Sequence, residues 1–209
     1  MPQGPRATMV AEMTSTRRIG AEDSKSRTAL LDAAQELMLE DGYAAVTSRR
    51  VAAKAGLKPQ LVHYYFRTMD DLFLALFRRG AELGLERQAR ALTSPQPLRA
   101  LWAFSTEPAG ATVTMEFMAL ANRRPAIRAE MAAYAERFRL QQAEALSVVF
   151  RSYGIDPDDL PPTAALFVMS CISRVLVLEQ TLGMTIGHAE TLALVEDFLD
   201  RVEGAPTPT

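Results

Sequence analysis

Apolar residues recur at helical spacing along most of this chain. In "SKSRTALLDAAQELMLEDG", residues 24–42, Leu30, Ala34, Leu37 and Met38 fall on one face and Gly42 ends the run. Thr47 can cap a short helix, Ser48 to Ala55, closed by Gly56. Pro59 suits the first position of a further helix that runs to about Tyr65. A long helix is predicted from Met69 to about Leu92, with Leu72, Phe73, Leu76, Gly80 and Leu83 turned inward. "TSPQP" and "TEPAG" then break the chain around a short helix bearing Leu98, Leu101, Trp102 and Phe104. "ATVTMEFMALANRR" is an apolar helix stopped by Pro125, and a long helix follows to about Tyr153, ended by Gly154. "IDPDDLPP" reads as a loop. Pro161 to about Leu182 is apolar on nearly all sides, and His188 to about Val202 is amphipathic. No strand-like alternation, hairpin signal or fixed repeat interrupts this series, so the fold class is all-α.

Composition narrows the picture. The chain has 209 residues, 48% apolar and 23% charged, which suits a soluble globular protein with a real core. The single cysteine, Cys171, excludes an internal disulfide framework and fits a reducing cytoplasm. With one cysteine and two distant histidines, His63 and His188, no metal set is expected. Met1 to Thr16 lacks the apolar run of a signal peptide. The longest apolar run, Ala164 to Leu178, is too short for a membrane span and carries Arg174, so it is expected to be a buried helix with no membrane contact.

Charge is unevenly placed. From Tyr43 to Arg67 the ionised residues are Arg49, Arg50, Lys54, Lys58 and Arg67, all positive. From Thr68 onward 13 arginines face 18 acidic residues, a net of −5. A basic head on an acidic body calls for an anionic partner at the head alone. The basic stretch "TSRRVAAKAGLKPQLVHYYF" holds two short helices joined at Gly56, where glycine supplies the positive φ of a tight turn. Ala52 and Ala55 are small enough for the helices to cross closely, and Val51, Leu57 and Val62 are placed to lock them onto the first helix. This is a helix-turn-helix pattern, whose second helix enters the DNA major groove by its N-terminal end. A carboxylate there would repel phosphate.

At this point the chain resembles the TetR family of bacterial regulators. The resemblance covers Ser24 to about Leu76 and rests on "GYAAVTSRRVAAKAGLKPQLVHYYFRTMDDLF", with Gly42-Tyr43, Thr47, Val51-Ala52, Ala55-Gly56-Leu57, Tyr65-Phe66 and Asp70-Asp71-Leu72 matching the family pattern. Where relatives often carry serine, glycine, tyrosine and lysine, this chain has Lys58, Gln60, His63 and Met69. Met69 loses a phosphate clamp, for which Lys58 can compensate. The resemblance implies a homodimer that binds a palindromic operator on double-stranded DNA, represses transcription, and is released by a small molecule held in the helical body.

The expected organisation is a mobile arm over residues 1–23, in which Arg17 and Arg18 are candidates to touch DNA, then a DNA-binding domain over 24–68. A ligand-binding and dimerisation domain covers 69–204, and a tail 205–209. At the head, Thr47 is a cap and a candidate phosphate contact, and one of Arg49 and Arg50 is expected to reach phosphate or a base. Lys58, Pro59, Gln60 and Leu61 open the reading helix. Gln60 has the geometry to pair with adenine and Leu61 to meet a thymine methyl. His63, Tyr64 and Tyr65 face the backbone. In the body, a cavity for a largely apolar effector is expected among Trp102, Phe104, Met115, Met118, Tyr134, Phe138, Phe167 and Met169, with Glu116 and Arg174 as its polar groups. Leu192, Val195, Phe198, Leu199 and Val202 form a stripe that is either ordinary core or half of a four-helix dimer seam, and the seam is the favoured reading. No cofactor is implied. An enzyme would need paired carboxylates, a nucleophile beside histidine, a phosphate loop or a metal set, and none is visible. The competing reading is an architectural DNA binder without an effector.

Overall fold

Residues 25–206 are described in the computed structural model, and every regular element among them is helical. The expected arm, with Arg17 and Arg18, lies outside the described residues, as do residues 207–209 of the expected tail. The order is α1 (Lys25–Asp41), a 3-10 turn (Tyr43–Ala45), α2 (Ser48–Lys54), α3 (Pro59–Tyr65), α4 (Met69–Leu92), α5 (Pro97–Ser105), α6 (Pro108–Ala121), α7 (Pro125–Ser152), α8 (Pro162–Thr181) and α9 (His188–Glu203).

Local chemistry sets these boundaries. Thr68 Oγ1 accepts from the Asp71 N–H at 3.1 Å while Asp71 Oδ2 accepts from the Thr68 N–H at 3.0 Å, a reciprocal cap at the start of α4. Proline opens α3, α5, α6, α7 and α8, where its missing N–H costs nothing. The start of α5 is capped from the other end of the chain. Glu203 of α9 accepts from the N–H groups of Leu98 at 2.7 Å and Arg99 at 3.0 Å, placing a negative charge at the helix's positive pole. Arg99 returns the contact by reaching Glu196 at 2.5 Å, Asp200, and the Gly204 carbonyl at 3.1 Å.

Two apolar clusters hold the chain together. The first contains Leu30, Leu37 and Met38 of α1, Val51 and Ala52 of α2, Val62 of α3, Phe66, and Leu72, Phe73 and Leu76 of α4. It also takes in Phe117, Leu120 and Ala121 of α6 and Ile127 of α7. The core under the helix-turn-helix is therefore completed by residues far beyond residue 68. The second cluster joins Leu98, Leu101 and Trp102 of α5 to Leu146 and Phe150 of α7, Leu166 and Leu176 of α8, and Leu199 of α9.

Two expectations need correction here. Gly80 and Leu83 were placed on the inner face of α4, but Gly80 is exposed and Leu83 is 50% exposed. The inner face runs instead from Leu76 through Phe77 and Leu85 to the buried Gln88, a drift set by the pitch of a straight helix. The buried helix expected at Ala164–Leu178 is buried on one side only: Leu166, Ser173, Leu176 and Val177 point inward, while Phe167, Val168, Val175 and Leu178 are exposed. The helix that contains this run, Pro162–Thr181, is 20 residues long and apolar enough to cross a membrane by length and composition alone.

The shared core yields a stability test. Phe117 is 3% exposed in the cluster beneath α2 and α3. Phe117→Ala should lower the unfolding free energy of the chain by about 3–5 kcal/mol, measured by urea denaturation. A loss well under about 1 kcal/mol would mean that α6 does not complete this core.

Candidate nucleic-acid interface and body groove

The reading helix is aimed by a short, rigid path. The Thr47 side chain accepts from the Arg50 N–H at 3.4 Å and starts α2. Gly56, at φ +66, turns the chain between α2 and α3, a conformation that side-chain-bearing residues resist. The Leu57 N–H then donates to the Ala52 carbonyl at 2.9 Å, closing the corner. Val51 and Val62 are fully buried and Phe66 nearly so, which fixes α3 against α1. The opposite face of α3 is open: Lys58, Pro59, Gln60, His63 and Tyr64 are exposed, with Leu61 and Tyr65 half-buried beside them. The rings of Tyr64 and Tyr65 meet edge to face with centroids 5.0 Å apart. Of the ten residues expected at the head, seven lie on or beside this face of α3, while Thr47, Arg49 and Arg50 stand at the start of α2.

The cations of the head divide into two groups. Arg50 is ion-paired to Asp41 at the end of α1. Lys54 reaches Glu40 at 2.8 Å and Glu36 at 3.3 Å, and the hydrogen bond to Glu40 is the main reason its pKa is raised. These two side chains pin α2 to α1. Arg49, Lys58 and Arg67 are exposed and have no acidic partner among the described residues. Of the two arginines expected to compete for phosphate, Arg49 is thus the free one, and Arg50 is turned to α1 because Asp41 stands within reach.

The ten residues expected around one cavity do not share one. Trp102 is buried in the second cluster, with Met169 packed against the same cluster. Met118 and Phe167 are about half exposed, and Arg139 lies over the Phe167 ring at 5.4 Å. Arg174 is exposed on α8, and Phe104 and Met115 are half-buried away from the groove between α4 and α7. Glu116 is engaged elsewhere: its Oε2 accepts from the Tyr43 N–H at 2.6 Å. The reason is helical phase. Alternate faces of α6 and α8 turn away from α7, so apolar residues on one helix serve different neighbours.

Tyr134 and Phe138 do line a groove, of about 340 Å³, between α4 and α7. Its other walls are Phe77, Arg78, Ala81, Glu82, Leu85, Glu130, Arg137 and Gln141. Phe77 and Tyr134 meet edge to face at 5.4 Å, and Tyr134 stacks with Phe138 at 5.6 Å. The Tyr134 hydroxyl donates to the Ala81 carbonyl at 2.6 Å, and burial, then the charge of Glu82, raises its pKa. Arg78 and Glu130 are paired across the groove at 2.8 Å, which holds the Glu130 carboxyl below its ordinary range. The groove thus offers three ring faces, one closed ion pair, and an acidic and a basic group in Glu82 and Arg137. The helical stripe of α4 beyond Leu76 would have located Phe77, Ala81 and Leu85. Nothing in the sequence paired them with α7.

The stripe assigned to the dimer seam also divides. Leu199 is buried, and Val195 and Val202 pack against the chain's own second cluster, which also holds Leu98 and Leu101 of α5. Leu192 and Phe198 stay more than a third exposed, and Leu194 is exposed beside them. On α8, Phe167, Val168, Val175, Leu178 and Leu182 form an outward apolar face running the length of the helix.

Residues 30–76 match the sequence profile of the bacterial regulatory proteins of the tetR family. Over 135 residues the chain is 30% identical to the transcriptional regulator BetI of Rhizobium meliloti, an alignment that covers 64% of this chain and 62% of that protein. The chain therefore spans less than two thirds of the length of this relative. Solved structures share the architecture at lower identity. A transcriptional regulator from Saccharomonospora viridis, crystallised with choline, superposes with a TM-score of 0.67 at 21% identity, over 84% of this chain and 95% of that one. The fatty acid degradation regulator FadR of Bacillus halodurans gives 0.63 at 15% identity, over 90% of this chain and the whole of that one.

Proposed function

We propose that the chain is a member of the tetR family of bacterial regulatory proteins, whose profile residues 30–76 match, and on that premise that it is a homodimeric, DNA-binding repressor released by a small molecule. The observation that carries this reading is the outward face of α3. It presents Lys58, Gln60, His63 and Tyr64 together, with the unpaired Arg49 on the preceding helix and no carboxylate in the helix-turn-helix itself. Free cations supply salt-dependent phosphate binding, and Gln60 supplies a side chain able to hydrogen-bond two edges of adenine.

Dimerisation is supported by the outward apolar faces of α8 and α9. A face of Phe167, Val168, Val175, Leu178 and Leu182 is costly to leave in water, and a second copy would cover it with matching residues. Arg174 sits within that face, which fits a protein partner better than lipid. Effector binding is supported by the groove between α4 and α7. Its charged groups revise the expectation of a largely apolar effector: the groove suits a small molecule with an aromatic or apolar body and a polar end. A volume of about 340 Å³ in the body favours this reading over an architectural DNA binder. Because α4 carries residues of the head's core at one end and walls the groove further along, a ligand that prefers one tilt of α4 would shift the position of the heads.

Three outcomes test the three parts. In a binding-site selection, Gln60→Ala should change preference at one base pair, worth roughly 1–3 kcal/mol there. Arg49→Ala and Lys58→Ala should weaken all sequences evenly and flatten the salt dependence, with Arg50→Ala doing so less. An unchanged preference in Gln60→Ala would remove its reading role. For the dimer, Val175→Asp with Leu178→Asp should sediment as a folded monomer, since both positions are exposed in one protomer and charge there opposes only the seam. A dimer like wild type would place the interface elsewhere. For the effector, Ala81→Phe should fill the groove. It should keep operator binding while abolishing release by whichever aromatic or quaternary ammonium compound releases the wild type. Undiminished release would move the effector site out of this groove.

A further inference from the structure

Glu116 stands out in the sequence as a carboxylate in an otherwise apolar helix, and the groove does not use it. Its position explains it. Gly42 ends α1 at φ +78, and the 3-10 turn that follows has no cap from its own neighbourhood. The first N–H of that turn, on Tyr43, donates to Glu116 Oε2 at 2.6 Å, a partly buried contact between residues 73 apart in sequence. The approach is close enough that a Cβ on residue 42 would lie 3.2 Å from the same oxygen. Glycine at 42 therefore serves both the positive φ and the seat of the carboxylate.

This turn is the start of the path that aims the reading helix. It leads through Val46, which is buried, to the Thr47 cap and α2, and α2 sets α3 through the Gly56 corner. The helix that carries Glu116 also places Phe117 and Leu120 in the head's core. At its far end Arg124 is ion-paired to Asp70 at the start of α4. The body thus grips the head at three places, and at one of them it supplies a charge-assisted hydrogen bond directly to the backbone ahead of α2.

We propose that Glu116 is a positioning residue that fixes the angle of the reading helices relative to the body, and so the distance between the two heads of a dimer. This rests on the dimeric DNA-binding reading above. A hydrogen bond to a backbone N–H at a pivot restrains rotation of the head, and in a two-fold dimer the rotation of each head sets the separation of the two α3 helices. Sequence preference within a half-site depends on α3 itself and does not pass through Glu116.

The test is a binding-site selection with full-length protein, using a library in which the two recovered half-sites are separated by spacers of different length. Wild type should select one spacing sharply. Glu116→Ala should keep the half-site sequence, accept several spacings, and bind the best-spaced site about tenfold more weakly. Glu116→Gln should restore the sharp preference, because its amide oxygen can accept from the same N–H. Should Glu116→Ala fail to fold by circular dichroism, Glu116→Leu, which keeps bulk and removes the acceptor, carries the same expectation. A spacing preference as sharp in the Ala or Leu variant as in wild type would overturn the role of Glu116 while leaving the proposed function standing. A wild type that binds DNA with no preferred spacing would overturn both.

Discussion

Burial of α6 beneath the helix-turn-helix is the constraint on which the rest of this structure depends. Phe117, Leu120 and Ala121 share one apolar cluster with Leu30, Val51, Val62 and Leu72, and Ile127 closes it from α7. Each large apolar side chain buried in this way contributes roughly 1.5–3 kcal/mol. The head is consequently packed on the body and not suspended from it by a linker. Everything that depends on orientation follows from that packing: the direction of α3, the reach of Glu116 to the backbone of Tyr43, and the ion pair of Arg124 with Asp70. Arg79 adds a tie of the same kind, reaching Asp32 at 2.7 Å and Gln35 at 3.1 Å on α1.

Electrostatics then sorts residues that the packing has placed. Five cations occur between Tyr43 and Arg67 with no carboxylate among them. The acids of α1 lie next to α2 in space, so Asp41, Glu40 and Glu36 take up Arg50 and Lys54. Exposed pairs of this kind add little to stability, but they decide which charges remain for a partner. The free ones lie on the outward side of the head. The groove shows the same sorting with the opposite result. Arg78 and Glu130 neutralise each other across it, and the three rings of Phe77, Tyr134 and Phe138 are left as its distinctive surface.

Apolar residues that find no place in the chain's own core carry information of their own. The exposed apolar positions on α8 follow helical spacing from Phe167 to Leu182, and Leu192, Leu194 and Phe198 are exposed on α9. A stripe of that regularity is not the scatter expected of a solvated surface. It belongs to a helix that reads in sequence as buried on all sides although the chain itself covers only part of it.

Local chemistry was legible in the sequence by itself. Pro59 at a helix start, Thr47 as a cap, and glycines at 42, 56 and 154 marked the helix boundaries, because capping and positive φ act within a few residues. The periodicity of Leu30, Ala34, Leu37 and Met38 fixed the inner face of α1 for the same reason. The outward face of α3 followed as well, since helical phase and three buried anchors at 51, 62 and 66 leave the other residues nowhere else to point. The tertiary structure alone decided which faces meet. An apolar residue in α6, α8 or α9 has the same sequence signature whether it faces its own core, a groove or solvent, and this is why Met118, Phe167 and Val195 fell to different places than expected. It also decided the partners of Arg50 and Glu116. A charge pairs with whatever opposite charge or backbone N–H folding brings within about 3 Å, and that distance is not written in the spacing of residues 9 or 73 apart.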